Sequence, residues 1–183
     1  QKSLVRMAEL NTGQRVIGTG CGCGVVTSMI SEAVGSTGEV LAADLSQEMV
    51  NATDALNLTN VRTARMGAEA LDIEDASYDR AVCALGLMYS PDPRQAVSEM
   101  YRSLRPGGRA TVTVWGERRN CYWADIFPIV DRQVNSEVCP MFFASGAPGA
   151  LKRDFEQAGF DEIDEHRQSK VLEFDSHRAL LDA

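Results

Sequence analysis

The chain has 183 residues, 44% hydrophobic and 24% charged, with a formal net charge of −8. That length suits one domain with its own core, the composition excludes a disordered chain, and the acidity argues against binding nucleic-acid phosphates. No run approaches the roughly 18 apolar residues of a membrane span, and five cysteines without framework spacing suit a reduced, cytoplasmic setting rather than a disulfide scaffold.

Residues 1–10 read as the end of a helix that packs beside the first strand. Arg15–Thr19 is the first strand and 24–34 the first full helix, with apolar positions Val25, Val26, Met29, Ile30, Ala33 and Val34 at helical spacing. The cluster Gly35-Ser36-Thr37-Gly38 is a turn, and 39–44 a second strand. Ser46 is a good cap for a helix over 47–57. Val61–Met66 is a shorter, more polar strand, placed towards one edge, and Asp79–Leu85 a fourth. Asp92, with Pro93 after it and Gln95 three residues on, starts a helix that Pro106-Gly107-Gly108 stops. Ala110–Trp115 is the fifth strand. Residues 116–149 break the pattern with aromatic residues and prolines. Leu151–Ala158 is a helix ended by Gly159, and Phe160–Gln168 with Lys170–Phe174 reads as strand. No candidate for a last strand follows before Ala183. Strands alternating with helices predict an α/β fold: a doubly wound, Rossmann-like, mostly parallel sheet with helices on both faces. The whole of 1–183 is expected as a single domain.

The stretch Val16 to Gly24 carries the chemistry. Its glycines alternate at Gly18, Gly20, Gly22 and Gly24, between a strand and a helix. Glycine there lets a ligand touch the backbone, and the free amides at the helix start favour a polar or partly negative group. Asp44 ends the next strand, where a carboxylate can accept both hydroxyls of a ribose. Together they describe a nucleoside cofactor across adjacent strand ends. The dinucleotide spacing G-x-G-x-x-G does not fit, because its third glycine falls on Cys23 or Val25.

The alternating spacing instead resembles the first motif of the class I S-adenosylmethionine-dependent methyltransferases. Asp44-Leu45-Ser46-Gln47-Glu48-Met49 resembles their second motif. Met66 to Leu71, Tyr78 to Leu85 and Leu104 to Arg109 resemble the later ones, in order. The nearest group contains the ubiquinone and menaquinone biosynthesis enzymes. The resemblance implies S-adenosyl-L-methionine as cofactor, S-adenosyl-L-homocysteine as product and a small molecule as acceptor. It implies that backbone at Gly18, Thr19, Gly20 and Gly22 meets the methionine and ribose portions. Asp44 would take the ribose, Leu45 and Met49 pack on adenine, and backbone of Ala68 and Glu69 read its edge. Ala84 and Leu85 would approach the methionine end. Two positions depart from the pattern: Gly18 and Ala68 stand where the family usually or often has an acid.

The resemblance also makes 116–149 an insertion over the active site, with Trp123, Phe127 and Phe142 beside a moderately apolar acceptor. Tyr89 and Glu117, after the fourth and fifth strands, could orient it or take a proton. No catalytic residue follows from family membership, because the reactive methyl belongs to the cofactor. No metal is expected: Cys21 and Cys23 lack a second ligand cluster, and His166 and His177 fall in no motif. A non-catalytic nucleoside-binding or interaction module with the same fold is the alternative reading.

Overall fold

The computed structural model describes residues 1–133, 142–171, 173, 175, 176 and 178. Strands β1 (Arg15–Thr19), β2 (Glu39–Asp44), β3 (Val61–Arg65), β4 (Tyr78–Ala84) and β5 (Leu104–Thr113) form one sheet in the order β3-β2-β1-β4-β5. Every pairing is parallel. The chain winds outward from β1 to β3, then crosses back to lay β4 on the other side of β1. That reversal opens a crevice beyond the carboxyl ends of β1 and β4, where ligands bind in such sheets.

Alternation along β1, β2 and β4 buries both faces. Val16, Val40 and Val82 pack against Leu4 of α1 (Lys2–Met7) and Val26, Ile30 and Val34 of α2 (Val25–Val34). Ile17, Leu41, Ala81 and Cys83 face the other way. Ala96, Val97 and Met100 of α4 (Pro93–Ser103) join them, as do Leu151, Phe155 and Ala158 of α6 (Ala150–Ala158). Between β2 and β3, α3 (Gln47–Asp54) buries Val50 and Thr53, and α5 (Phe127–Asp131) lies after β5.

Local signals hold their helices as expected. Ser46 Oγ accepts the Met49 amide at 3.3 Å, and Asp92 Oδ1 accepts the Gln95 amide at 3.0 Å. Gly159, at φ 107°, closes α6 in the left-handed region that favours glycine. Asn60, just before β3, ties the end of α2. Its Nδ2 donates to Ser31 O at 3.1 Å and Gly35 O at 2.8 Å, while its Oδ1 accepts from the Ser31 hydroxyl. Asn60→Ala removes these bonds, leaving the two carbonyls only the Gly35 and Gly38 amides and the Ser31 hydroxyl without this acceptor, and should cost roughly 2 kcal/mol in urea unfolding. Asn60→Asp should cost more, since it sets a negative charge beside carbonyls at a helix C-terminus.

Three expectations need correction. The helix after β2 stops at Asp54 rather than 57. The fifth strand starts earlier, at Leu104, because Leu104 pairs with Tyr78 before the Pro106-Gly107-Gly108 turn bulges out and pairing resumes at Arg109. Residues 162–171 form no strand, and Phe174 lies outside the described residues. The pleat-like pattern of that stretch has no ladder neighbour, and Val171 is left 83% exposed.

Candidate functional site

The glycine loop leaves β1 and turns at the carboxyl edge of the sheet. Gly20, Gly22 and Gly24 all take positive φ, at 63°, 56° and 83°. At Gly22 an added Cβ would meet nothing within 4 Å, so its backbone faces open space. The loop is pinned from three sides. The Cys21 amide donates to Ala43 O at 3.0 Å, Thr53 Oγ1 donates to Gly22 O at 2.8 Å, and the Gly22 amide donates to Asp44 Oδ2 at 2.9 Å.

Asp44 therefore sits against the glycine loop, as its place at the tip of β2 demands. Its other oxygen accepts the Ser46 amide at 3.0 Å. A carboxylate has about four acceptor positions, so each oxygen keeps capacity for a further donor. Beyond it lies exposed apolar surface: Leu45 is 67% and Met49 37% exposed. Arg65 Nε donates to Leu45 O at 3.1 Å and fixes that backbone. Across from Leu45, an added Cβ on Gly67 would lie 3.8 Å from Leu45 Cδ1 and 3.7 Å from Glu69 Oε2. Leu45, Gly67 and Glu69 thus lie side by side. Glu69 is held by the start of α4: its Oε1 accepts the Asp92 amide at 3.2 Å and its carbonyl accepts Gln95 Nε2 at 3.3 Å. These residues fit a nucleoside, with a carboxylate for paired hydroxyls, apolar side chains for a flat base and a backbone cradle without side chains.

Gly18 and Thr19 lie under this edge in β1. Thr19 is buried, and its Oγ1 has no hydrogen-bond partner among the described residues. An acid at Gly18 is not sterically forbidden, since an added Cβ would find only Leu41 O, at 3.9 Å.

On the other side of the crevice, Ala84 packs into the core and Leu85 takes φ 58°, a conformation L side chains rarely adopt. Leu85 joins an apolar cluster with buried Met88, Cys121, Ala124, Phe142 and Phe143. Tyr89 stands edge-on to Phe142, ring centroids 5.2 Å apart. Trp123 contacts Trp115 at 5.1 Å, Phe127 at 5.6 Å and Phe142 at 5.8 Å. Phe142 is a core residue at 7% exposed, whereas Tyr89 and Trp123 present accessible rings at 60% and 40%. Glu117 is not brought to this group; its carboxylate pairs with Arg119 at 3.1 Å. Burial raises the Tyr89 phenol and Cys121 thiol above their ordinary values, so both stay protonated near neutrality.

Sequence reasoning missed Gly86, which touches the glycine loop, and the hold of Asp92 on Glu69. Neither has a local signal, since both contacts join segments far apart in the chain. Cys139 and His177 lie outside the described residues, and among those described no group of three or more His, Cys, Asp or Glu could hold a metal. No described helix is long and apolar enough to cross a membrane. A groove of about 510 Å³ bordered by Arg15, Arg62 and Tyr78 lies by β3 and the amino ends of β1 and β4, away from the glycine loop.

A family model described as a methyltransferase domain matches residues 16–108, from β1 through the turn before β5's long run. A demethylmenaquinone methyltransferase of Staphylococcus aureus (strain JH9) is 30% identical over 176 residues, covering 87% of this chain and 73% of that protein. An S-adenosylmethionine-dependent methyltransferase structure from Mesorhizobium loti is 28% identical with a TM-score of 0.55, covering 61% of this chain and 51% of that one. The putative methyltransferase solved with the Haloferax volcanii Trm112 activator shares the fold at a TM-score of 0.71 and 19% identity, covering 86% of this chain and 66% of that one. The chain thus spans about two thirds or less of these two solved structures. With the motifs, the sheet order and these likenesses in agreement, the chain belongs to the class I S-adenosylmethionine-dependent methyltransferases and is related to the demethylmenaquinone methyltransferases.

Proposed function

We propose that this chain binds S-adenosylmethionine across the ends of β1, β2 and β4 and transfers its methyl group to a small, moderately apolar acceptor. The observation that carries the reading is Asp44, bonded to the Gly22 amide and bordered by exposed Leu45 and Met49. The cofactor supplies an electrophilic sulfonium methyl. Gly18, Thr19, Gly20 and Gly22 give backbone to its methionine and ribose portions, and Asp44 accepts the ribose hydroxyls. Leu45 and Met49 cover adenine, whose edge meets the backbone of Ala68 and Glu69. Ala84 and Leu85 line the methionine end.

The protein's contribution is alignment and exclusion of water. Tyr89 walls the acceptor side together with Trp123, Phe127 and Phe142, the last three from an insertion spanning 116–149. Tyr89, protonated, orients the acceptor by hydrogen bonding. Glu117, engaged by Arg119, is the weaker candidate for taking a proton. An apolar acceptor of the kind named for the S. aureus relative, demethylmenaquinone, suits that aromatic wall. The acidic surface disfavours nucleic-acid acceptors. The absence of acids at Gly18 and Ala68 favours the second reading, a fold that holds the nucleoside without transferring its methyl group.

Calorimetric titration with S-adenosylmethionine, S-adenosylhomocysteine and NADH tests the proposal. Micromolar binding of both sulfur nucleosides and none of NADH is the expected result. No heat from well-folded protein sinks it, and binding without turnover across an acceptor panel moves the second reading ahead. A thiol reagent gives an independent check. Cys23 is exposed in the glycine loop, Cys21 half-buried, and Cys83 and Cys121 buried. Cys23 should be labelled first among these four, and saturating S-adenosylhomocysteine should slow its labelling about tenfold or more by occlusion. Unchanged labelling under saturation would place the nucleoside elsewhere.

A further inference from the structure

The loops that follow β1 and β4 touch backbone to backbone. A Cβ added to Gly20 would lie 3.0 Å from Gly86 Cα. One added to Gly86 would lie 3.2 Å from Gly20 Cα, 3.4 Å from Thr19 O and 3.1 Å from the Cys83 sulfur. No side chain fits between the two loops, so neither can shift without pushing the other. The residue before this contact, Leu85, is held at φ 58° while its amide donates to Thr113 O at 2.9 Å. Such a conformation persists only where the surroundings over-determine it. The residues after the contact form a 3-10 turn, Leu87–Tyr89, whose Met88 is buried in the aromatic cluster and whose Tyr89 ring meets Phe142. The path from the glycine loop to the acceptor wall is therefore one short, packed stretch of five residues, 85–89.

We infer that the Gly20–Gly86 contact is a positioning joint through which a nucleoside in the glycine loop sets the placement of Tyr89 and the aromatic wall. The inference rests on the proposed cofactor site and adds to it a second role: Gly86 positions the acceptor side without touching the acceptor. A packed contact of this kind can carry coupling between sites, and such coupling is reciprocal. A ligand on the aromatic wall therefore strengthens nucleoside binding by the same factor that the nucleoside strengthens the wall's hold on its ligand.

The chain carries its own reporter. Its two tryptophans, Trp115 and Trp123, meet edge-on within the aromatic cluster, and neither belongs to the glycine loop. The experiment adds S-adenosylhomocysteine to the full chain, reading binding by calorimetry and the wall by tryptophan emission. In the wild type, emission changes saturably with the calorimetric midpoint. In Gly86→Ala, whose methyl group forces the loops apart, the nucleoside binds more weakly and the emission change at saturation falls by about half or more. Should that variant fail to fold, Tyr89→Ala decides. Tyr89 is 60% exposed, so its truncation leaves the fold and keeps affinity within about twofold of wild type, while the emission change is lost. Saturating heat with no change in wild-type emission overturns the joint and leaves the cofactor reading standing. So does a full emission change in Tyr89→Ala or in folded Gly86→Ala. No heat at all overturns the cofactor reading itself, and the joint with it.

Discussion

Asp44→Ala should bind S-adenosylhomocysteine on the order of a hundredfold more weakly than the wild type, because two charge-assisted hydrogen bonds of about 1.5–3 kcal/mol each are removed. The geometry supports that magnitude. Both carboxylate oxygens are already oriented by backbone amides, Gly22 on one and Ser46 on the other, so little ordering remains to be done on binding. The same bonds make the substitution felt in the loop, since the Gly22 amide loses its acceptor. Ser46→Ala separates the two effects. It removes the cap on α3, where Ser46 Oγ accepts the Met49 amide, but leaves Asp44 and its amide partners in place. It should lower stability by about 1 kcal/mol while affinity stays within a few-fold of wild type. Asp44→Asn keeps the shape but has a single acceptor oxygen, and its amide nitrogen must face either the Gly22 or the Ser46 donor. Its affinity should fall between the other two. Calorimetry with a parallel thermal melt reads all three, and wild-type affinity in a folded Asp44→Ala would remove the nucleoside from the tip of β2.

The residues of this site differ in how visible they were in the chain. The position of Asp44 was legible because it depends on one strand end, and β2 ends at that residue. The glycine loop was legible for the same reason: a short segment with unusual backbone freedom writes itself locally. Caps at Ser46 and Asp92 are three-residue devices and appeared as drawn. Phe160–Phe174 shows the limit. Alternation marks residues that tolerate a pleat, but a strand exists only beside a neighbour, and whether one is present is a property of the whole sheet. What 160–171 does instead is anchored at one end, where Phe160 packs on Tyr101 and Phe155 at 4.9 Å each. Gly86 failed to show for a related reason. Its demand for no side chain comes from Gly20, 66 positions earlier in the numbering, and not from its own neighbours. The aromatic residues of the insertion were visible as a group, yet only burial separates Phe142, packed inside, from Trp123 and Tyr89, which keep accessible rings.

Arg102→Ala should destabilise the sheet's α4 side by roughly 2–4 kcal/mol in urea unfolding at pH 7. The stretch from Leu71 to Ser77 joins β3 to β4 without a helix, so its polar backbone groups must find partners elsewhere. Arg102 supplies a donor to two of them, the carbonyls of Leu71 and Ile73. Its Nη2 donates to Leu71 O at 2.8 Å and its Nη1 to Ile73 O at 2.8 Å and to Asp75. Its Nε and Nη2 also fork onto Glu99, at 2.9 and 2.8 Å. Glu99 in turn accepts the Leu71 amide at 2.8 Å. Asp75 is 76% exposed and adds little. Glu99 is only 13% exposed, so losing its guanidinium partner strands a carboxylate that water reaches poorly. Arg102→Lys should recover only part of the loss, because an ammonium cannot fork to two carbonyls and a carboxylate at once. The Arg102 bond holds the Glu99 carboxyl below its ordinary range, against the opposing pull of burial. A depressed folded value means the unfolded chain binds the proton more readily. The contribution is therefore complete above the ordinary carboxylate value of about 4.3 and is lost as pH falls through the lower folded value. The stability gap between wild type and Arg102→Ala should narrow accordingly below about pH 4. A gap that persists unchanged in acid would show that packing of Leu71 and Ile73, rather than the ion pair, holds this connection to α4.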